Sequence, residues 1–374
     1  MIYLDWNATA PLRPAARAAW LAAQDTCWGN PSSVHGIGQR ARAAIDHAKN
    51  ALARLLGCRG HELVLTSGGS EANALAIHAA LSMDPQRKGI VASAIEHSSV
   101  LRNAAASGAS TVVGVDPVGR VDPAVLAAAC GPGTALVCFQ YANNEIGTIQ
   151  DVPALVAAVR AAAPAALILL DAAQGAGKRT LDFGALGVDF ASIAGHKFGA
   201  PLGAGLLYAR TGLKIAPLIH GGRQQQDRRS GTEDVAGAVA LAAALGDALH
   251  DSAQTEDGCC NLLESCFARI SADLPEAAWI ARAAPRLGHT LSLAHPGIDQ
   301  TALVQRLDLA GFAVSTGAAC MAARGEPSHV LRALGIPSEL ARGAIRVSIG
   351  HQTTTSELDA FAAAYVREVR LMLR

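Results

Sequence analysis

The chain has 374 residues, 51% of them apolar and only 4% aromatic, with 31 basic residues against 31 acidic ones. That length favours two domains, with one large α/β domain as the competitor, and the balanced charge excludes a broad electrostatic footprint for nucleic acid or an anionic membrane surface. The first residues lack a basic, apolar leader and no apolar run is long enough to cross a bilayer, so a cytoplasmic protein with neither membrane nor nucleic-acid partner is expected.

From about residue 63 to 210, short apolar runs alternate with helical patterns. The expected strands are Leu63–Thr66, Ile90–Ala94, Thr111–Val115, Ala135–Gln140, Leu167–Leu170, Phe190–Ile193 and Gly205–Tyr208. Between them fall helices over Glu71–Leu81, Ser99–Ala106, Pro123–Ala129 and Pro153–Ala161, the last two opening on a proline that a first turn tolerates. The alternation predicts an α/β fold with a mostly parallel sheet flanked by helices, whose ligands bind beyond the carboxyl ends of the strands. A long helical region follows from about Glu233 to Ile270. Strands at Thr290–Ala294 and Ile345–Ile349, with a helix over Thr301–Leu309 between them, then predict a smaller α+β domain. Thr354-Thr355-Ser356-Glu357 is a capping box for a closing helix with Leu358, Phe361, Tyr365, Val369 and Met372 on one face.

The eight cysteines form no C-x-x-C pair, and Cys259, Cys260 and Cys266 with His250 match no zinc spacing, so neither a disulfide framework nor a metal site is expected. The basic stretch Arg223–Arg229 reads equally as a solvated loop or as an anion-binding one.

Three strand ends offer chemistry. Thr66-Ser67-Gly68-Gly69-Ser70-Glu71 runs from a strand into a helix, where free N–H groups, the helix dipole and the Ser70 hydroxyl suit a phosphate, although a glycine turn needs no ligand. Asp171 follows a very apolar strand, where a carboxylate either caps a helix or meets a cation. Lys197, after Gly195-His196, is an amine at a strand end: a solvated lysine if it stood alone, a carbonyl-binding group in this company. Together an acid, an amine and a phosphate cradle are what pyridoxal 5'-phosphate requires.

Ten ordered segments then carry a family likeness: Tyr3-Leu4-Asp5-Trp6-Asn7-Ala8-Thr9, Gly29-Asn30-Pro31-Ser32-Ser33, Thr66 to Asn73, Glu96-His97, Asn143-Asn144-Glu145-Ile146-Gly147, Asp171 to Gln174, Gly195-His196-Lys197, Arg229-Ser230-Gly231-Thr232, Cys320 with Glu326-Pro327-Ser328, and Ile345-Arg346-Val347-Ser348. Over nearly its whole length the sequence resembles the cysteine desulfurases, fold type I pyridoxal-phosphate enzymes of the class V aminotransferase family. The resemblance implies a large cofactor-binding domain over 14–255 and a small domain formed by 1–13 and 256–374, which carries the loop of Cys320.

It further implies that Lys197 forms the imine with the cofactor, Asp171 pairs with the ring nitrogen, Gln174 bonds the ring oxygen, and His97 stacks on the ring and helps move protons. Gly69, Ser70 and His196 hold the phosphate; Thr232 reaches the phosphate site of the neighbouring subunit, which makes a homodimer. Arg346 grips the substrate carboxylate bidentately with Asn144 assisting. The implied reaction takes sulfur from L-cysteine onto Cys320 as a persulfide, releases L-alanine, and passes the sulfur to an acceptor protein or thiol in iron–sulfur cluster assembly or related sulfur trafficking. Two departures stand out. Ala318-Ala319-Cys320-Met321-Ala322 lacks the hydroxyls that relatives carry around the cysteine, and Ala194 replaces a phosphate-touching serine. Two rivals remain: another C–S or C–Se lyase on the same scaffold, and a non-catalytic sulfur-transfer scaffold, whose mark would be missing cofactor residues. None is missing.

Overall fold

The structure is a computed structural model that describes residues 1–317 and 328–374, and of residues 253–256 the helical backbone alone. Cys320 and the helix signal at Pro327 lie outside the described residues.

Twelve strands follow one another along the described chain: β1 (Ile2–Tyr3), β2 (Leu63–Thr66), β3 (Gly89–Ser93), β4 (Ser110–Val113), β5 (Thr134–Gln140), β6 (Leu167–Asp171), β7 (Phe190–Ala194), β8 (Gly205–Ala209), β9 (Ala278–Trp279), β10 (Thr290–Ala294), β11 (Phe312–Ala313) and β12 (Ala344–Ser348). β2 to β8 form one seven-stranded sheet in the order β2-β8-β7-β6-β5-β3-β4. This is an α/β fold, with a mostly parallel central sheet flanked by helices. Only β8 runs against the rest, and its connection explains why. The chain leaves β7 through a single 3₁₀ turn, Gly195–Lys197, too short for the helical crossover that a parallel return needs.

The crossovers are helical for local reasons. Asp122 caps Pro123–Ala128 by accepting from the Ala124 and Val125 N–H groups, and Asp151 caps Val152–Ala162 by accepting from the Ala154 N–H. With helices on both faces, every residue of β5 is buried, as expected of a central parallel strand. Alanine lets the helices sit close: Gly69–Met83 buries Ala72, Ala76, Ala79 and Ala80 against one face of the sheet.

A second, antiparallel sheet has the order β12-β10-β9. β1 pairs in parallel with β11, Ile2 opposite Phe312, so the N-terminal segment is tied to the end of the chain. The helix Val235–Asp273 connects the two regions. Ala240, Leu241, Ala244 and Leu245 belong to the apolar cluster of the large sheet, whereas Leu263, Cys266, Phe267 and Ile270 pack with Leu4, Phe361 and Tyr365 in another. The terminal helix Thr355–Met372 has the Thr354–Glu357 capping box, with Leu358, Phe361, Tyr365 and Val369 buried. No disulfide joins the described cysteines. Among the described residues no group of three metal-ligating side chains occurs, and no helix is long and apolar enough to cross a membrane.

Candidate active site

The carboxyl ends of β2, β3, β5, β6 and β7 open on one side into a cavity of about 540 Å³. Gly69, Ser70, His97, Asn144, Asp171, Gln174, His196, Lys197 and Arg346 all line it. Of the site residues expected from the sequence, two are not among them. Thr232 lies in a separate hollow with Thr66, Ser67 and Gly205, and Cys320 lies outside the described residues, three positions beyond Gly317 on the cavity wall.

Asp171 ends β6 and is buried. Its Oδ2 accepts from Asn73 Nδ2 at 2.9 Å and its Oδ1 from the Ala173 N–H at 3.0 Å. Both bonds are to neutral groups, and a protonated ring nitrogen would be a favourable further partner for a carboxylate so deeply buried.

Lys197 closes the 3₁₀ turn after β7, and its Nζ donates to the carbonyls of Asn7 and Ala8, each at 2.8 Å. Beside it, His196 Nδ1 meets Thr9 Oγ1 at 3.2 Å. Burial, helped by the Lys197 ammonium, pushes the His196 imidazole down to about 4, so it is neutral until an anion arrives. The turn that precedes the helix Gly69–Met83 is shaped by Gly68, whose φ of 152° disfavours a side chain. That leaves the first-turn N–H groups at Gly69 and Ser70 facing the cavity side, where the helix dipole favours a phosphate. The Cβ of Ala194 packs 3.3 Å from where a Cβ on Gly69 would stand, so this wall of the cradle is a methyl group.

His97 caps the helix Ser98–Ala106, its Nδ1 accepting from the Ser99 N–H at 3.1 Å. Nε2 is therefore the nitrogen left for chemistry. Burial lowers its basicity, Asp171 acts against that, and Lys197 and His329 add to it. Under this layer, Glu96 is fully buried. Desolvation, reinforced by Asp171, drives its carboxyl well above the usual range, although the Gln140 N–H donates to its Oε1 at 2.9 Å.

Arg346, on β12, is held in an arrangement its motif did not announce. Nη2 donates to Asp5 Oδ1 at 2.6 Å and Nη1 to the Asn144 carbonyl at 3.0 Å, while buried Nε has no partner among the described residues. A substrate carboxylate gripped bidentately must share or exchange one of these partners.

Sequence motifs alone give no role to Asn7, yet it is the joint of the site. Fully buried, it donates Nδ2 to the Asn144 carbonyl and to Thr290 Oγ1, accepts from Lys178 Nζ at Oδ1, and offers its carbonyl to Lys197 and Gln174. The signal lay in a polar residue two places after Asp5, whose bridge to Ser348 at the end of β12 is a long-range pairing that spacing cannot reveal.

An acid, an amine, an amide and a helix N-terminus thus converge on one cavity, and the donor set fits pyridoxal phosphate. Comparison with known proteins agrees. The family profile described as Aminotransferase class-V matches residues 2–361. The chain is 40% identical over 365 residues to a protein named cysteine desulfurase from Cereibacter sphaeroides, covering 96% of this chain and 93% of that one. It is 36% identical over 363 residues to one named cysteine desulfurase IscS from Dictyoglomus turgidum, covering 96% and 92%. A solved structure described as a NifS-like protein superposes with a TM-score of 0.92 at 30% identity, covering 99% of both chains.

Proposed function

The chain belongs to the class V aminotransferase family, and from that premise we propose that it is a pyridoxal-phosphate-dependent cysteine desulfurase, removing sulfur from L-cysteine and leaving L-alanine. The observation that carries the reading is the convergence of Lys197, Asp171, Gln174 and His97 on the cavity that Arg346 also lines.

When bound, pyridoxal phosphate supplies an aldehyde for imine formation and a ring that withdraws electrons from the substrate's Cα. The chain does the rest. Asp171 keeps a proton on the ring nitrogen, and Gln174 donates an N–H to the ring oxygen. Gly69, Ser70 and His196 hold the phosphate, and Arg346 with Asn144 orients the substrate carboxylate. Lys197, whose Nζ reaches the carbonyls of Asn7 and Ala8, would hold the cofactor's aldehyde and serve as the amine that moves the proton on and off Cα. His97, on the cavity wall with Nε2 left free by its Nδ1 cap, would serve as a second proton carrier. The Cys320 thiolate attacks the substrate sulfur: the S–S bond forms as the Cβ–S bond breaks, the electron pair leaves with Cβ, and Cβ takes a proton to become the alanine methyl. The acceptor, a protein or small thiol, then removes the outer sulfur from Cys320. Its place is iron–sulfur cluster assembly or related sulfur traffic, as the name of the IscS relative suggests.

Three finer points belong to the same proposal. The chain divides into a domain over 14–255 and another formed by 1–13 and 256–374, supported by Leu4 packing among residues 263–369. It works as a homodimer in the cytoplasm, supported by Thr232 standing outside its own chain's cavity and by exposed Trp28, Val34 and Leu202.

Borohydride reduction of the loaded protein followed by peptide mapping should modify Lys197, and incubation with L-cysteine should yield alanine with one added sulfur on Cys320. Trapping on another lysine would end the cofactor assignment. Full alanine release by Cys320→Ala would instead leave the cofactor in place and remove the persulfide step, favouring a different C–S lyase.

A further inference from the structure

Lys178 is partly buried behind the cofactor side of the cavity, four residues after Gln174, and among the described residues it pairs with no carboxylate. Its Nζ donates to two amide oxygens, Asn7 Oδ1 at 2.9 Å and Gln174 Oε1. The charges that act on it are of like sign: burial first, then Lys197 and Arg346, hold its amine well below the ordinary lysine range, and Lys178 in turn lowers His289. A half-buried amine among like charges carries a cost that an uncharged side chain there would avoid. Packing alone does not explain it.

Its effect on Gln174 does. The Gln174 amide has its Oε1 on the Lys178 amine and one Nε2 hydrogen on the Asn7 carbonyl, at 3.1 Å. Turning the amide over would set Nε2 against an N–H donor and Oε1 against a carbonyl. The second Nε2 hydrogen is therefore a donor of fixed direction on the wall of the cavity. We propose that Lys178 is a positioning residue that orders the Gln174 amide, so that it donates to, and never accepts from, the ring oxygen of the cofactor. Either protonation state of Lys178 can do this, because both carry N–H groups.

A donor at the ring oxygen stabilises negative charge there and makes the neighbouring imine nitrogen easier to deprotonate. The inference rests on the cofactor reading above. Its test is the pH midpoint of the visible absorbance of the cofactor-loaded protein, measured for wild type, Lys178→Met, Gln174→Ala and the double variant. Lys178→Met should fold, bind cofactor and raise the midpoint by roughly half a pH unit or more. In the Gln174→Ala background the same substitution should add less than half of that rise. Lys178→Gln, which keeps an N–H for Gln174 but no charge, should stay closer to wild type than Lys178→Met does, and it serves if the methionine variant fails to fold.

An unchanged midpoint in Lys178→Met at full cofactor occupancy overturns the proposal. So does an equal rise with and without Gln174, which would mean that the amine acts through space. A wild-type protein that gains no visible band with added cofactor sinks the functional reading itself, an outcome distinct from either.

Discussion

Arg346 donates from Nη2 to Asp5 Oδ1 at 2.6 Å, so a residue of the N-terminal segment supplies the resident counter-charge for the arginine expected to meet substrate. The guanidinium is almost fully buried and the carboxylate only partly exposed. Removing one partner of such a pair leaves an uncompensated buried charge, which costs about 3–5 kcal/mol. Two effects on ligand binding then compete. The guanidinium loses alignment, worth about 1 kcal/mol, but it gains a vacancy for an incoming carboxylate, worth about 3 kcal/mol at 5 Å and an effective dielectric constant of 20.

The larger effect decides the first prediction. Asp5→Asn lowers the melting temperature of the loaded protein, and L-alanine, which carries the carboxylate without the sulfur, restores more of it than it does in wild type. Thermal scans with and without L-alanine measure both. If the variant gains no more than wild type, the substrate carboxylate does not sit at Arg346.

Glu96 gives a second prediction. Its carboxyl is held well above the usual range by burial and by Asp171. A group whose folded pKa is raised contributes stability that is complete below its unfolded value, about 4.3, and is lost as pH rises toward the folded one. Glu96→Gln keeps an acceptor for the Gln140 N–H and puts an N–H₂ where the protonated acid carries its hydrogen. The variant should match wild type near pH 4.5 and exceed it at pH 8 in chemical denaturation. A variant weaker than wild type at pH 8 would show that the ionised form is the one the fold uses.

These two residues also show what a sequence does and does not disclose. Strand positions such as Thr290–Ala294 and Leu63–Thr66 are legible because apolar runs of that length between helical patterns have few alternatives. Helices Pro14–Thr26 and Gly36–Leu55 are not, since they precede the strand–helix alternation that frames the later helices. The reversed direction of β8 follows from a loop without a crossover, which no periodicity records. At the site, motif residues next to strand ends declare themselves, but Asp5 and Asn7 act across the chain on Arg346, Thr290 and Ser348. The β1–β11 and β10–β12 pairings and the Asp5–Ser348 bridge bring those segments together.

Close packing at the phosphate turn supports a third prediction. A Cβ on Gly205 would stand 2.5 Å from the Gly68 Cα and 2.8 Å from the Ile193 carbonyl. Both neighbours are backbone, so the strain cannot be relieved by a side-chain rotation. Gly205→Ala should cost about 1–3 kcal/mol of stability and weaken cofactor retention, because the atom it displaces belongs to the turn before Gly69. Gly212→Ala is a control for loss of a glycine, where open space leaves only the backbone cost of a φ of 94°. Cofactor loss on dialysis no faster for Gly205→Ala than for that control would show that the turn does not depend on this contact.

Acid lability is the last prediction, and its sign comes from the histidines. His196 is pushed down to about 4, His289 falls further below its ordinary value, and His97 and His351 are lowered too, burial leading in each case. For a histidine whose folded pKa is depressed, the unfolded chain binds the extra proton first. Its contribution to stability is complete above about 6.5 and is lost as pH falls toward the folded value. The cofactor-free protein should therefore lose stability steadily from pH 6.5 to 4. An anion at the phosphate cradle opposes this loss, since it favours the protonated His196 that acidification produces. Inorganic phosphate should accordingly raise the melting temperature of the cofactor-free protein more at pH 5.5 than at pH 7.5. His196→Gln should flatten that difference, because the glutamine can hydrogen-bond phosphate but cannot take up a proton. A phosphate effect of equal size at both pH values in the wild type would mean that His196 does not face the anion.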